Sequence, residues 1–209
     1  SKNGTKLSRG ANFKCVMSDS PISPSYVKGE GKAGRLGYKL MAVGVNGPKG
    51  RMYISPTKEM EDIAKHAKAD WRPEVEISGS TQYLGIKPYG MDRFDQLFTE
   101  RQLVALTTFS DLIQEVKEKV IEDALDHGLM NNGKSISENG TNAKAYGEAI
   151  SIYLAFAVDY AANYWSTLAT PADGFIRGTY SMQALPMTWD FAEAPPFGST
   201  SGNWLSSIN

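Results

Sequence analysis

The chain has 209 residues, of which 41% are hydrophobic, and a formal net charge of −1. This length suffices for one good-sized domain, or for one domain with a small appendage. A single cysteine excludes a disulfide framework and cannot form a metal site without other ligands. Because no signal peptide opens the sequence, we expect a reducing, cytoplasmic setting. The start without Met and the ending WLSSIN lead us to interpret the chain as a piece of a longer protein.

The small net charge hides an uneven distribution along the chain. Residues 1–51 hold ten Lys or Arg residues and two acidic residues, a local charge of +8. Residues 52–209 hold twelve Lys or Arg residues and 21 acidic residues, a local charge of −9. A basic segment of this kind either contacts a polyanion such as nucleic acid or is a solvated, poorly ordered arm. The charge alone favours neither interpretation.

Residues 1–35 are rich in Gly, Ser, Pro, Lys and Arg, which predicts loop rather than regular structure. Residues 29–34 read GEGKAG and match the GxGxxG pattern, but a dinucleotide loop needs a strand before it and a helix after it. A Pro-rich stretch precedes this pattern and the strand-like YKLMAVGV follows it, so we reject that interpretation. Either the glycine amides approach a phosphate and the neighbouring cations add an affinity that depends on salt, or the stretch is a flexible loop with solvated charges. The cations concerned are Lys28, Lys32, Arg35 and Lys39.

Two residues with metal-binding side chains fall outside any metal-site pattern. Cys15 lies in FKCVMSDSP, and a zinc knuckle would place a second cysteine about three residues further on. That position is Ser18, a poor zinc ligand, so we expect a plain thiol at Cys15. His66 has no acidic or cysteine partner at metal-ligand spacing and is predicted to lie on the surface.

The middle of the chain predicts a β-hairpin followed by short elements. Strands are expected at residues 38–45 and 51–54, joined by NGPKG as a loop of more than two residues. Ser55-Pro56 predicts the start of a helix to about residue 68, with Ser as the N-cap and Pro at the first helical position. A strand is expected around residues 75–77, and a short helix in MDRFDQLF.

Two long helices are predicted next. Thr99-Glu100-Arg101-Gln102 fits a capping box, and His127-Gly128 ends the helix with a left-handed glycine. The apolar stripe predicted for this helix comprises Leu103, Leu106, Phe109, Ile113, Val116, Val120 and Ala124. Residues 144–168, KAYGEAISIYLAFAVDYAANYWSTL, confine their polar residues to one stripe, which predicts a buried helix with neighbours on several sides. Asp159 argues against a membrane span.

These elements define the expected fold and domain organisation. The two long helices, joined by MNNGKSISENGTN, are expected to pack antiparallel. The fold class is therefore α+β, with a small basic, hairpin-containing part at residues 1–54 and a mainly helical body at residues 55–209. The aromatic tail from Pro171 is expected to be fastened onto the body or onto another polypeptide. Its AEAPPF segment resembles the catalytic loop of amino-group DNA methyltransferases, but Ala194 has no acceptor for the target amine, so we interpret it as structural.

Three segments together resemble a known family. They are RGANFKCVMSDSPISPSYVKGEGKAGRLGYKLMAV, YGMDRFDQLFTERQLVALTTFSDLI, and AISIYLAFAVDYAANYW followed by IRGTYSMQALPMTWDFAEAPPFGSTSGNW. They are similar to the internal region of large bacterial and archaeal adenine-specific DNA methylases that contain a zinc ribbon. In that family a cofactor-binding glycine loop lies upstream of such a region, and an Asp-Pro-Pro-Tyr loop lies downstream. The resemblance implies a non-catalytic fragment, with S-adenosylmethionine expected only in the full-length protein.

The same resemblance gives the expectations for metal, partners and function. Cys15 matches the position of a zinc-ribbon cysteine, and Ser18 stands where its partner would be, which implies a degenerate ribbon remnant without a complete zinc site. The implied role is DNA binding or target recognition, with Lys28, Lys32 and Arg35, together with Lys39, as phosphate contacts. The partners would be DNA and the remainder of the same polypeptide, with no membrane. The alternative is a structural insert that packs on the catalytic domain or on a partner subunit.

Overall fold

The computed structural model describes residues 4–208 and has an α+β fold with five α-helices and three small antiparallel sheets. The chain forms two compact units, each built from separate stretches of sequence. The first unit comprises the residues up to His66, together with Val75–Gln96 and Ala184–Met187. The second unit comprises Ala67–Glu74, Leu97–Gln183 and the residues from Thr188 onward. This division differs from the predicted boundary after residue 54.

Hydrogen bonds between residues that are distant in sequence hold the first unit together. The Lys39 ammonium donates a hydrogen bond to the Glu61 carboxylate, which ties the second helix to the N-terminal part. The Ile86 amide donates to the Leu185 carbonyl at 3.2 Å, and the Leu185 amide donates to the Tyr83 carbonyl at 2.8 Å. A short tail segment is thereby paired with a loop about a hundred residues earlier in the sequence.

The first unit contains short strands and two helices. Its elements are β1 Phe13–Lys14, β2 Pro21–Ile22, α1 Pro24–Lys32, β3 Val43–Gly47, β4 Gly50–Ile54, α2 Lys58–His66 and the 3-10 helix Lys87–Tyr89. Strand β1 pairs with β2, and β3 pairs with β4, in both cases antiparallel.

Helix α1 corrects the prediction of loop over residues 1–35. The Ser23 hydroxyl accepts a hydrogen bond from the Tyr26 amide at 3.2 Å, and Pro24 occupies the first turn. A Ser N-cap followed by Pro is a strong helix-start signal, and here it outweighs the glycines that follow it. The GEGKAG pattern therefore begins inside a helix and ends just beyond it.

The predicted hairpin is confirmed, with a tighter turn than expected. In the register of β3 and β4, Gly47 pairs with Gly50, so the turn consists of Pro48-Lys49 alone. Gly50 has a φ of +113°, a conformation that glycine adopts without strain. Strand β3 begins at Val43, so residues 38–42 are not part of it.

Helix α2 and the segment after it also differ from the prediction. The Thr57 hydroxyl, and not that of Ser55, accepts the hydrogen bond from the Met60 amide at 3.2 Å. The predicted strand at residues 75–77 is a single bridge, in which Glu76 pairs with Arg93. His66, as predicted, is exposed.

The second unit is built on two long helices. Its elements are α3 Glu100–Asp126, the 3-10 helix Ile136–Glu138, α4 Ala143–Ala162, β5 Thr170–Pro171, β6 Ile176–Arg177, the 3-10 helix Thr179–Ser181 and α5 Trp204–Ile208. A further 3-10 helix, Phe94–Leu97, precedes α3. The part of the chain that the structure describes holds no helix with the length and apolarity needed to cross a lipid bilayer.

Both ends of α3 form as the sequence predicts. At the start, Thr99 and Gln102 make the reciprocal hydrogen bonds of a capping box. At the end, Gly128 has a φ of +87°, and the Leu129 amide donates to the Ala124 carbonyl at 2.9 Å. This pattern is a Schellman motif, which uses a left-handed glycine to satisfy carbonyls that the helix leaves free.

Helices α3 and α4 pack antiparallel, as predicted. Near the start of α3, Leu106 belongs to a buried cluster with Val158 and Ala161 from the end of α4. Near the end of α3, Ile121 lies against Gly147 at the start of α4, where a glycine permits close approach of the helices. Trp165 and Ala194 complete the buried cluster.

Helix α4 corrects two expectations. It ends at Ala162 rather than at residue 168, because the Asn163 carbonyl accepts the Thr179 amide at 2.8 Å and the Thr167 amide donates to the Leu97 carbonyl. It also exposes much of its apolar surface, including Tyr153 and Phe156, so the prediction of neighbours on several sides is wrong.

Apart from Ala184–Met187, the aromatic tail belongs to the second unit and packs within it. The Trp165 indole donates a hydrogen bond to the Gly202 carbonyl at 2.6 Å. The rings of Phe109 and Trp204 stack with their centroids 4.2 Å apart. Glu193 accepts hydrogen bonds from Thr99 and Arg101 at the start of α3. With Ala194 buried in the core, the AEAPPF segment has the packing role that its sequence predicts.

Candidate nucleic-acid interface

Helix α1 presents two lysines that are available to a ligand. Lys28 and Lys32 are one helical turn apart, so they project from the same face. Both are exposed, and neither forms a salt bridge with any residue in the range 4–208. Their helix is held in place by the Ser23 cap and by the burial of Val27. This pair is the part of the predicted phosphate contact that the structure leaves unneutralised.

The other two predicted contacts already have carboxylate partners. The Arg35 guanidinium makes two hydrogen bonds of 2.7 Å to the Glu30 carboxylate, which lower the pKa of Glu30. Lys39 pairs with Glu61, and that hydrogen bond likewise lowers the pKa of Glu61. Both pairs are on the surface, where solvent and salt screen such ion pairs. A phosphate would therefore have to displace a carboxylate in order to bind Arg35 or Lys39.

The glycines of GEGKAG have a structural role at the end of α1, and the interpretation in which their amides approach phosphate stays a prediction. Gly29 and Gly31 provide backbone carbonyls that accept the amides of Ala33 and Gly34 at 3.1 and 2.9 Å. A Cβ on Gly31 would fall on the Tyr89 carbonyl, so this glycine permits close packing of α1 against the 3-10 helix. The backbone here is the C-terminal end of α1, whose partial negative charge disfavours a phosphate.

Further cations outside the GEGKAG region are exposed in the same unit. Lys49 occupies the turn of the hairpin, and Arg51 follows it on β4. Lys6 and Arg9 precede β1, while Lys14 is paired with Asp19 at 2.8 Å. The hairpin prediction could have identified Lys49, because a residue in the loop between two hairpin strands normally faces solvent. The basic character of the first 51 residues is thus displayed on several short elements.

The residues near Cys15 do not fit a zinc site. Within residues 4–208 no three His, Cys, Asp or Glu side chains lie together as metal ligands would. A hydrogen bond from Ser18 lowers the pKa of the Cys15 thiol, and a serine hydroxyl is a poor ligand for zinc. The strands of residues 4–208 form only antiparallel pairs, so this range does not contain the strand, glycine loop and helix of a dinucleotide-binding fold.

Comparisons of the chain with protein-family models, with known proteins and with solved structures found no match.

Proposed function

We propose that this chain is a non-catalytic internal portion of an adenine-specific (N6) DNA methyltransferase, and that it assists DNA binding or target recognition. The remainder of the polypeptide would bind S-adenosylmethionine and carry out methyl transfer. The proposal draws on the resemblance of three segments to that family and on the +8 charge of residues 1–51.

The observation that carries the DNA-binding part is the exposed pair on α1. Lys28 and Lys32 lie on one face of a capped helix and have no carboxylate partner in the described chain. Lysine ammonium groups at this spacing suit the phosphates of a nucleic-acid backbone, which bind without regard to sequence. Arg35 and Lys39 join the contact when phosphate replaces their surface carboxylates.

The test compares two charge-matched variants of the whole chain. Fluorescence anisotropy with a short labelled duplex at low salt measures the affinity of the wild type, of Lys28→Glu/Lys32→Glu and of Lys58→Glu/Lys119→Glu. The α1 variant is expected to bind at least about tenfold more weakly than the control. An equal loss in both variants would show that net charge governs binding, and would overturn the assignment to α1.

A second function is favoured by a different observation. The aromatic residues of α4 that face solvent, Tyr153 and Phe156 among them, form an apolar surface on the acidic body. Such a surface is typical of a protein-protein contact. The alternative proposal is therefore an interaction insert that packs on the catalytic domain or on a partner subunit through the second unit.

A further inference from the structure

Helix α4 carries a continuous apolar stripe on its solvent face. The stripe comprises Tyr146, Tyr153, Phe156 and Tyr160, with Ile152 at its edge, and we name it the α4 stripe. At 100° per residue, Tyr146, Tyr153 and Tyr160 differ by only about 20° per step, so their rings follow one line along the helix. These four residues are 52%, 74%, 62% and 48% exposed in that order.

The exposed area of the stripe is large enough for a stable contact. At about 200 Å² per aromatic side chain, the four rings expose about 470 Å² of surface. Ile152 is 44% exposed, and Ile208, which lies across a groove from Tyr153 and Phe156, is 51% exposed. With these two the surface reaches about 600 Å², most of the roughly 800 Å² that one partner buries in a standard interface.

The stripe also lacks the charges that normally keep a helix face in water. The charged residues of α4 are Lys144, Glu148 and Asp159, and they lie on the polar side of the helix. Lys144 donates to the Gly133 carbonyl at 2.9 Å, and Glu148 accepts the Ile136 amide at 2.8 Å. Two of these three charges are thus bonded to the loop before the helix, and Asp159 lies beside Ile152, about 60° around the helix from Phe156. The line of Tyr146, Tyr153 and Tyr160 therefore carries no charge that would keep it from association.

The order of residues along the stripe indicates which partner fits it. The line of tyrosines is symmetric about Tyr153, because Tyr146 and Tyr160 lie seven residues to either side of it. Two antiparallel copies related by a two-fold axis at Tyr153 would place the Tyr146 of each copy opposite the Tyr160 of the other. A surface that complements itself in this way is the requirement for a two-fold symmetric dimer.

We propose that the α4 stripe is the contact between two copies of this chain, paired antiparallel about a two-fold axis at Tyr153. The antiparallel arrangement also opposes the two helix dipoles favourably. The groove of about 450 Å³ between α4 and Ile208 lies beside the axis, on the side of Phe156 and Tyr160. This inference specifies the partner for the interaction function proposed above, and it does not depend on DNA binding.

Sedimentation velocity of the whole chain without DNA tests the proposal. Between about 1 and 100 µM the wild type is expected to pass from monomer to dimer, as an interface of standard size allows. Tyr153→Glu places a charge at the axis and is expected to weaken the dimer at least 30-fold, roughly the effect of burying unpaired charges. Ala155→Glu is the matched control, because Ala155 is exposed on the opposite side of the same helix, and it should dimerise like the wild type.

Disulfide trapping provides an independent measurement. In a Cys15→Ser background, Tyr153→Cys is expected to form a linked dimer under mild oxidation, since its two copies meet at the axis, while Ala155→Cys stays largely monomeric. A wild type that is monomeric over the whole range would overturn the proposal, and would leave the interaction function to a different polypeptide. Equal trapping at the two positions, or equal weakening by the two Glu variants, would overturn it as well.

Discussion

Gly147→Ala is the substitution that reports most directly on the close packing of α3 and α4. Gly147 lies in the second turn of α4, where an alanine would normally favour the helix by about 1 kcal/mol. A Cβ at this position would lie 2.5 Å from Cγ1 and 3.1 Å from Cδ1 of Ile121, and 3.1 Å from the Lys117 carbonyl oxygen. Carbon atoms in contact normally lie about 3.5–4.0 Å apart, so the first distance is an overlap of about 1 Å.

The overlap is expected to outweigh the gain in helix propensity. Overpacking of this kind costs about 1–3 kcal/mol. After subtraction of the propensity gain, Gly147→Ala should destabilise the chain by about 1 kcal/mol. Ile121→Ala removes the two side-chain atoms that cause the overlap, so in that background Gly147→Ala should stabilise the chain by nearly 1 kcal/mol. The two substitutions are thus coupled by about 2 kcal/mol.

Urea denaturation followed by circular dichroism at 222 nm measures the coupling as a double-mutant cycle of four proteins. Each free energy of unfolding comes from the midpoint and slope of its transition. Stabilisation by Gly147→Ala in the wild-type background, with coupling below about 0.5 kcal/mol, would refute the close approach of the two helices at this position.

Two further predictions concern α1 and the start of α3. Gly29→Ala should stabilise the chain by about 1 kcal/mol, because a Cβ at this position would meet no other atom. Gly31→Ala on the same helix should destabilise the chain by about 2 kcal/mol, because its Cβ would overlap the rigid backbone of Tyr89. Equal effects of the two substitutions on urea denaturation would contradict the close packing of α1 against Tyr89. Arg72 lowers the pKa of Glu100, so this pair stabilises the fold above the unfolded pKa and ceases to do so as pH falls through the folded value. The melting temperature of Glu100→Gln should lie below that of the wild type at pH 7, and the difference should shrink as the pH falls through the folded pKa of Glu100.

Local signals in the sequence predicted the elements that depend on neighbouring residues. The capping box at Thr99 and the glycine at Gly128 gave both ends of α3, because each cap is made within a few residues of chain. The segment NGPKG also predicted the hairpin, although its turn is Pro48-Lys49 and Asn46-Gly47 belong to β3. Ser23-Pro24 carried an equally local signal for α1, and the glycines after it obscured that signal.

Features that depend on distant residues could not be predicted in this way. The end of α4 depends on Thr179, whose amide donates a hydrogen bond to the Asn163 carbonyl. No pattern within the helix contains that information. The apolar residues of α4 indicated burial on several sides, but hydrophobic periodicity does not state how many neighbours a helix has. The pairing of Lys39 with Glu61 likewise joins residues that are separated by a loop and a hairpin.

The salt dependence of DNA binding tests the proposed function of the basic unit most directly. Anisotropy titrations of the wild-type chain with a labelled duplex across a salt series give the slope of the logarithm of the association constant against that of salt concentration. The slope should be about −2 when Lys28 and Lys32 alone contact phosphates, and about −4 when Arg35 and Lys39 exchange their carboxylates for phosphates as well. A slope near zero, or no binding even at low salt, would contradict a DNA-binding role for this chain.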